Sequence, residues 1–287
     1  MTAHPMNRTS HRTSHRTSHR TRRTGDRTDR TGTHPTLHPA PHPARPALVL
    51  VAHGSRDPRA LSTVRTLLDR VRDLRPTLPV HLGHIELNEP LLPATLATLA
   101  ARGDTDAVLV PLLLGRGYHV KRDIPEMAAA APVRARVAAP LGPHPLLVET
   151  LYARLVEAGW RAPVDEAERR ASAVVLAAAG SRDPDSAADT RRTARLLAER
   201  LGVPVTPAYA SAATPTVRTA VRALTARGRH RTAVASYFTA PGRFATECAR
   251  AAPGTAAEPL GAHPAMARLI LHRYDRACEA DGARDAA

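Results

Sequence analysis

Short apolar runs alternate with amphipathic segments along most of the chain. Residues 47–52 are an uninterrupted aliphatic run, which is typical of a strand buried on both faces. Asp57 and Pro58 then stand as N-cap and first residue of a helix, and residues 59–75 carry apolar side chains at helical spacing. The pattern therefore predicts a strand, a short loop and a helix, with His53 at the carboxyl end of the strand.

The same alternation continues through both halves of the chain. The first half is predicted to add strands at 80–87, 107–113 and 133–138 and helices at 90–102, 122–130 and 145–158. The second half is predicted to hold strands at 173–178, 205–211 and 232–238 and helices at 186–201, 216–227 and 264–278. Regular alternation of strands and helices indicates α/β architecture with parallel sheets that helices cover on both faces.

The chain is an internal duplication. The string Gly-Ser-Arg-Asp-Pro ends both residues 49–58 and residues 175–184, and Pro-Leu-Gly-X-His-Pro occurs at 140–145 and at 259–264. Because both halves carry the second string, His144 and His263 are predicted to be turn and helix-start residues. The duplication predicts two tandem α/β lobes, each long enough for its own core. The predicted divisions are a tail (1–46), a lobe (47–160), a linker (161–170), a second lobe (171–278) and a short end (279–287).

Composition separates the first 46 residues from the rest. They hold nine arginines and almost no aliphatic side chains, so they are predicted to be a disordered basic tail. This tail supplies about half of the formal net charge of +15, so the remainder is only moderately basic, which disfavours nucleic-acid binding by it. The chain has no apolar run near the roughly 20 residues that span a membrane. Its two cysteines fit no disulfide framework, and we expect a cytoplasmic protein that does not bind membranes.

The two halves serve as controls for each other, because a group kept in only one half is a candidate for chemistry rather than for fold. His53 corresponds to Ala179, His119 to Ala245, and Glu86 to Ser211. All three groups are predicted at the carboxyl ends of neighbouring strands, where ligands bind in open α/β sheets. The first lobe is therefore predicted to hold a metal or acid-base site.

Two imidazoles and a carboxylate suit borderline divalent cations such as iron, cobalt, nickel or zinc. We expect His53, His119 and Glu86 to form the metal or acid-base site of the first lobe. The acidic member is less defined. Glu89 lies three positions after Glu86, and His84 shares its strand face, so either is an alternative auxiliary group.

Three motifs carry a resemblance to a known family. They are Ala-His-Gly-Ser-Arg-Asp-Pro at 52–58, Ile-Glu-Leu-Asn-Glu-Pro at 85–90, and Val-Pro-Leu-Leu-Leu-Gly-Arg-Gly-Tyr-His-Val-Lys-Arg-Asp-Ile-Pro at 110–125. In this order they resemble the sirohydrochlorin chelatases of siroheme and cobalamin biosynthesis, the CbiX/SirB-like class II chelatases, in their double-length form. The resemblance implies two flavodoxin-like lobes facing each other across a cleft, and a lyase that inserts Fe2+ or Co2+ into a tetrapyrrole without ATP. It also implies that His53 and His119 are the metal-handling and catalytic histidines, with Glu86 as their acidic partner. A neutral imidazole would act first as ligand and then as proton acceptor. It implies no permanently bound cofactor, because the metal is a substrate.

A tetrapyrrole with several carboxylates requires cations around the site. Arg116, Lys121 and Arg122 flank His119 and are predicted to bind these carboxylates, with a solvated basic turn as the alternative. Ser55 and Arg56 are further candidates for substrate binding, although Arg56 recurs as Arg182 and equally suits a role in the fold.

Two rival functions remain open from the sequence. One is a non-catalytic metal carrier or sensor that uses the same histidine pair, and the other is a nucleic-acid binder dominated by the basic tail. The residues do not discriminate between iron and cobalt, and a monomer is expected because two fused lobes remove the need for a dimer.

Overall fold

The structure of the protein, a computed structural model, describes residues 45–285. The first half contains four strands and four helices in alternation. They are β1 (Ala47–Ala52), α1 (Pro58–Leu74), β2 (Val80–His84), α2 (Leu92–Ala101), β3 (Asp106–Pro111), α3 (Ile124–Ala129), β4 (Arg134–Val137) and α4 (Pro145–Glu157), with a π-helical turn (His119–Asp123) before α3.

The second half repeats this order without a counterpart of β4 among the described residues. Its elements are α5 (Glu166–Ala171), β5 (Ser172–Ala178), α6 (Pro184–Leu201), β6 (Val205–Tyr209), α7 (Val217–Ala226), β7 (Arg231–Tyr237), α8 (Arg243–Arg250) and α9 (Pro264–Asp285). The repeated Asp-Pro pair starts a helix in both halves. Asp57 accepts a hydrogen bond from the backbone N–H of Arg59 at 3.0 Å, and Asp183 accepts one from that of Asp185 at 2.9 Å.

Both sheets are parallel. The first has the strand order β2-β1-β3-β4 and the second β6-β5-β7, so the duplicated strands β1 and β5 lie at the centre of their sheets. Every residue of β1 and of β5 is buried, as expected for strands covered on both faces. The predicted α/β class with two lobes of small parallel sheets is confirmed.

The boundaries of some elements differ from the prediction. Strand β2 ends at His84 rather than at residue 87, because the chain turns at Leu87, which has a positive φ of 66°. Helix α5 lies in the predicted linker, where Asp165 caps it through the backbone N–H of Glu168 at 2.7 Å. Helix α8 was not predicted, since only Ala245 and Cys248 of its residues are buried. Helix α9 continues to Asp285, beyond its predicted end at residue 278.

The last helix of each half packs on the sheet of the other half. Helix α9 contacts β3 and α1 of the first half, and α4 contacts β7 and α6 of the second. The four helices form a layer between the sheets, and a single hydrophobic cluster runs through it, including the fully buried Leu151 and Tyr274. Each large aliphatic side chain buried there contributes about 2 kcal/mol to stability. The lobes therefore share this central cluster, and each has a further cluster of its own on the outer face of its sheet.

The predicted tail and the predicted lack of a membrane span are the last features of the chain to compare with the structure. The disordered tail predicted for residues 1–46 lies outside the described residues, apart from residues 45 and 46. No helix between residues 45 and 285 has both the length and the apolar character needed to cross a bilayer.

Candidate active site

His53 and Glu86 lie side by side at the carboxyl ends of β1 and β2. The backbone N–H of Glu86 donates to the carbonyl of His53 at 3.0 Å, which extends the pairing of the two strands by one step. The side chains meet as well, with 3.6 Å between His53 Nδ1 and Glu86 Oε1. Gly54 permits this approach, since its φ is +101° and a Cβ there would overlap the carbonyl oxygen of Glu86.

His119 reaches the same place from the loop after β3. It begins the π-helical turn that leads into α3, and its ring centroid lies 4.7 Å from that of His53, with the two planes at 88°. The sequence comparison of the two halves predicted that these two imidazoles converge, and the structure brings them into edge-to-face contact.

Asp123 is a partner of His119 that sequence reasoning did not single out. Its Oδ2 lies 2.5 Å from His119 Nδ1, one helical turn further along the chain. A carboxylate on Nδ1 orients the ring and leaves Nε2 as the nitrogen available for a metal. The signal was present in the sequence, because Asp123 corresponds to Ala249 in the second half, as His119 corresponds to Ala245.

A cavity of about 1770 Å³ opens beside this group of side chains. The loops at the carboxyl ends of strands from both sheets line it, and His53, Glu86 and His119 are among its lining residues. Exposed apolar side chains also face it, with Leu87 51% and Tyr118 66% accessible. The volume exceeds the range of about 300–1,000 Å³ that is usual for small-molecule sites, and it suits a large ligand with apolar faces.

The structure separates the three candidates for the acidic or auxiliary group. Glu89 does not line the cavity, because its carboxylate accepts a hydrogen bond from the backbone N–H of Leu91 at 3.0 Å. His84 lines the cavity but is almost fully buried, and its Nδ1 lies 3.2 Å from the carbonyl of Pro90. Burial lowers the pKa of His84, which favours the neutral ring. Of the three candidates, Glu86 is the one whose side chain meets His53, at 3.6 Å.

The three cations that flank His119 do not lie where the sequence analysis placed them. Arg116, Lys121 and Arg122 are absent from the cavity lining. Arg116 pairs with Asp189 and Lys121 with Asp183 and Asp185, all on the second lobe, so these two cations are already engaged by carboxylates.

Ser55 and Arg56 do line the cavity, and so does Arg182, the counterpart of Arg56. The hydroxyl of Ser55 accepts the backbone N–H of Asp57 at 3.1 Å, and Ser181 repeats this contact with Asp183 at 3.1 Å. The recurrence of Ser55 therefore has a local structural cause. Its backbone N–H donates to Asn88 Oδ1 at 2.7 Å, a contact that sequence reasoning missed.

Two histidines that recur in both halves have a structural role outside the cavity lining. His144 and His263 are helix N-caps as predicted, accepting the backbone N–H groups of Leu146 and Ala265 through Nδ1 at 3.1 and 3.2 Å. Between residues 45 and 285, no group of three or more His, Cys, Asp or Glu side chains is arranged to hold a metal ion. What the structure assembles is a pair of imidazoles with carboxylates beside them.

Comparison with known proteins identifies relatives of this chain. The sirohydrochlorin ferrochelatase of Bacillus subtilis (strain 168) is 32% identical over 178 residues, which are 60% of this chain and 65% of the relative. The sirohydrochlorin cobaltochelatase of Methanococcus aeolicus is 37% identical over 81 residues, which are 28% of this chain and 57% of the relative. The alignments thus span less than two thirds of these relatives.

Solved structures extend the similarity over most of the fold. SirB from Bacillus subtilis with Fe3+ superposes with a TM-score of 0.70 and 27% identity, covering 83% of this chain and 98% of SirB. The cobalt complex of the SirB chelatase from Bacillus subtilis subspecies spizizenii gives 0.66 and 25%, covering 82% and 96%. The model of the CbiX family matches residues 47–158 and 173–277, that is, both lobes. The chain therefore belongs to the CbiX family.

Proposed function

We propose that this protein inserts Fe2+ or Co2+ into sirohydrochlorin without ATP. The observation that carries the proposal is the contact of the His53 and His119 rings, 4.7 Å apart, at the wall of a cavity of about 1770 Å³. The relatives named as ferrochelatase and cobaltochelatase, and the SirB structures with Fe3+ and with cobalt, support both the reaction and the choice of metals.

Metal insertion requires the cation to lose its water ligands and the macrocycle to lose protons at the same place. The incoming cation must leave its water ligands, and two pyrrole N–H groups of the macrocycle must lose their protons. In our proposal His53 and His119 bind the metal substrate through neutral imidazole nitrogens and then accept the pyrrole protons. Glu86, beside His53, offsets the charge of the cation and passes protons to solvent. Asp123 holds the ring of His119 with Nε2 towards the metal.

The cavity lining suits the proposed substrate. Leu87 and Tyr118 offer apolar surface to the face of the macrocycle. Arg56 and Arg182, which approach from the two lobes, are available for its carboxylates. Arg116 and Lys121 are not part of this proposal, because they are paired with aspartates.

We also propose that the protein acts as a cytoplasmic monomer. The loops of both lobes line a single cavity, and the two cysteines, Cys248 and Cys278, are free thiols. Sedimentation analysis of the full chain should give a single species near the 30.7 kDa of one chain; a dimer would refute this part of the proposal.

Turnover tests the reaction. Purified protein with sirohydrochlorin and Co2+ or Fe2+, without oxygen, should convert many equivalents to the metallated chromophore, followed by absorbance. His119→Ala should abolish conversion. The matched control is His230→Ala, since His230 is an exposed histidine that does not line the cavity, and this variant should keep the wild-type rate.

The same assay separates the enzyme from its rival and tests the choice of metal. A carrier or sensor would bind one equivalent of metal and produce no metallated sirohydrochlorin beyond it. Initial rates measured side by side with the two cations decide between iron and cobalt. Full activity of His119→Ala would refute the assignment of the site.

A further inference from the structure

The second lobe holds the chain segment that carries His119 to the site. The hydroxyl of Thr239 donates to the carbonyl of Leu112, and the hydroxyl of Tyr237 donates to that of Leu114, each at 3.0 Å. Tyr237 ends β7 and Thr239 follows it, so both donors come from the carboxyl end of a strand in the second sheet. The path from β3 towards His119 is thus fixed across the boundary between the lobes.

Arg116 makes the next contact along the segment. Its backbone N–H and its Nε both donate to Asp189 Oδ2 at 3.0 Å, and its Nη2 donates to Oδ1 at 2.8 Å. The carboxylate of Asp189 lies on α6 with only 5% of the side chain exposed. A buried carboxylate that accepts a two-pronged guanidinium and a backbone N–H from the same residue fixes both the position and the direction of the loop.

Lys121 makes the last contact, inside the π-helical turn itself. Its Nζ donates to Asp183 at 2.8 Å and to Asp185 at 2.9 Å, at the start of α6. His119 therefore lies between two residues, three positions before it and two after it, that are both bound to α6.

The reverse contacts, from the equivalent loop of the second lobe to α1 of the first, lack the residues that they would need. At the positions of Asp185 and Asp189 the first lobe has Arg59 and Thr63, and at the positions of Arg116 and Lys121 the second lobe has Gly242 and Glu247. In the first lobe the N-cap Asp57 instead binds its neighbour Arg59 at 2.7 Å. The acidic start of α6 and the basic loop around His119 thus diverged as a complementary pair.

We propose that Asp189, Asp183 and Asp185 are positioning residues, through which the second lobe holds His119 at the metal site. The proposal rests on the proposed role of His119. Gly115 and Gly117 precede His119 and leave the loop many conformations. Pairing with α6 removes this freedom in advance, so the imidazole does not have to be ordered when the metal arrives.

The test measures Co2+ affinity without tetrapyrrole, by titration calorimetry on the full chain, together with kcat and KM for metallation. Asp189→Asn keeps the size of the side chain and removes its charge, and Lys121→Met removes the second contact. Each should weaken Co2+ binding about tenfold, the lower end of the range for residues that orient a metal ligand. Each should also lower kcat more than it raises KM, because the macrocycle surface is unchanged.

The matched control is Glu149→Gln. Glu149 accepts from Arg200 at 2.9 Å, which joins α4 to the same helix α6 at residues that do not line the cavity. This variant should leave Co2+ affinity within twofold of wild type, and Lys121→Arg should restore most of what Lys121→Met loses.

Wild-type Co2+ affinity and kcat in folded Asp189→Asn would overturn the proposal and leave Asp189 a purely structural role. If Asp189→Asn does not fold, Lys121→Met decides in the same way, because Lys121 is at the surface. A wild type that binds Co2+ but never turns over sirohydrochlorin would refute the proposed function alone, since weaker Co2+ binding in the variants would still support positioning.

Discussion

Replacing Gly54 by alanine is the most discriminating perturbation of the site, because the chain contains its own control. Gly54 and Gly180 occupy equivalent turns with φ of +101° and +89°. A Cβ at Gly54 would overlap the carbonyl of Glu86, and one at Gly180 would overlap that of Ser211. Even the hydrogen bonds match, since the N–H of Glu86 donates to His53 and that of Ser211 to Ala179, both at 3.0 Å.

The expected loss of unfolding free energy is the sum of two effects, backbone strain at the substituted residue and a weakened hydrogen bond. Holding a residue with a Cβ in such a backbone conformation costs about 1–3 kcal/mol. Relieving the overlap separates the two strand ends and weakens at least one backbone hydrogen bond, which adds about 1 kcal/mol. We expect Gly54→Ala and Gly180→Ala each to lower the free energy of unfolding by about 2–4 kcal/mol, and to differ from each other by less than about 1 kcal/mol.

The two variants should differ in function. Urea unfolding followed by fluorescence reports on both, because Trp160 is the single tryptophan and is 8% exposed in the core that the lobes share. At a temperature where both variants are folded, Gly54→Ala should lose far more metallation activity than Gly180→Ala. The first displaces Glu86 from His53, whereas the second shifts only the turn that carries Arg182 and Asp183. An unfolding free energy within about 0.5 kcal/mol of wild type for Gly54→Ala, or equal loss of activity in folded Gly180→Ala, would refute this reasoning.

Three other predictions concern separate parts of the molecule. Asp123→Asn should lower kcat about tenfold or more with little change in unfolding free energy, because His119 loses the anion that orients it; steady-state kinetics and urea unfolding check this, and an unchanged kcat contradicts it. Burial chiefly, and the nearby charges of Arg273 and His272, lower the pKa of His144 to about 4, well below the 6.5 of an ordinary histidine. The unfolded chain therefore binds the extra proton first, and stability is lost as the pH falls from about 6.5 to about 4, by about 1–2 kcal/mol once solvent screening of this partly exposed ring is allowed for. His144→Asn, which keeps a capping acceptor, should flatten that part of the stability profile measured by urea unfolding, and an unchanged profile would contradict the assignment. Deleting residues 1–46 should leave the metallation rate unchanged, whereas a nucleic-acid binder would lose its affinity in a gel-shift assay.

Much of the fold was predictable because the strands are fully buried and the helices begin with Asp-Pro or His-Pro. Those signals lie within a few residues of each other, and they place β1, α1, β5 and α6 almost to the residue. The packing of α4 and α9, each on the sheet of the other half, was not predictable, since an apolar helix face fits either of two related sheets. Which sheet it covers depends on the loop that precedes it and on the other helices of the shared layer.

The candidate site, like the fold, was predictable only in part. The convergence of His53 and His119 followed from their loss in the second half, and Asp123 satisfies the same criterion. The role of Arg116 and Lys121 did not follow, because a basic residue near a histidine suits a carboxylate of a substrate as well as one of the protein. Their partners Asp183, Asp185 and Asp189 lie more than 60 residues away on a helix, where acidic side chains are ordinarily solvated.

The reciprocal packing of α4 and α9 has a consequence for how the halves evolve. In an assembly of two identical chains every substitution is made twice, so removing a histidine from one active centre removes it from the other. A fused pair of repeats escapes this constraint, and one repeat is free to specialise as support while its twin keeps the reactive groups. Neither repeat can be discarded afterwards, because each covers the sheet of its twin with its own terminal helix.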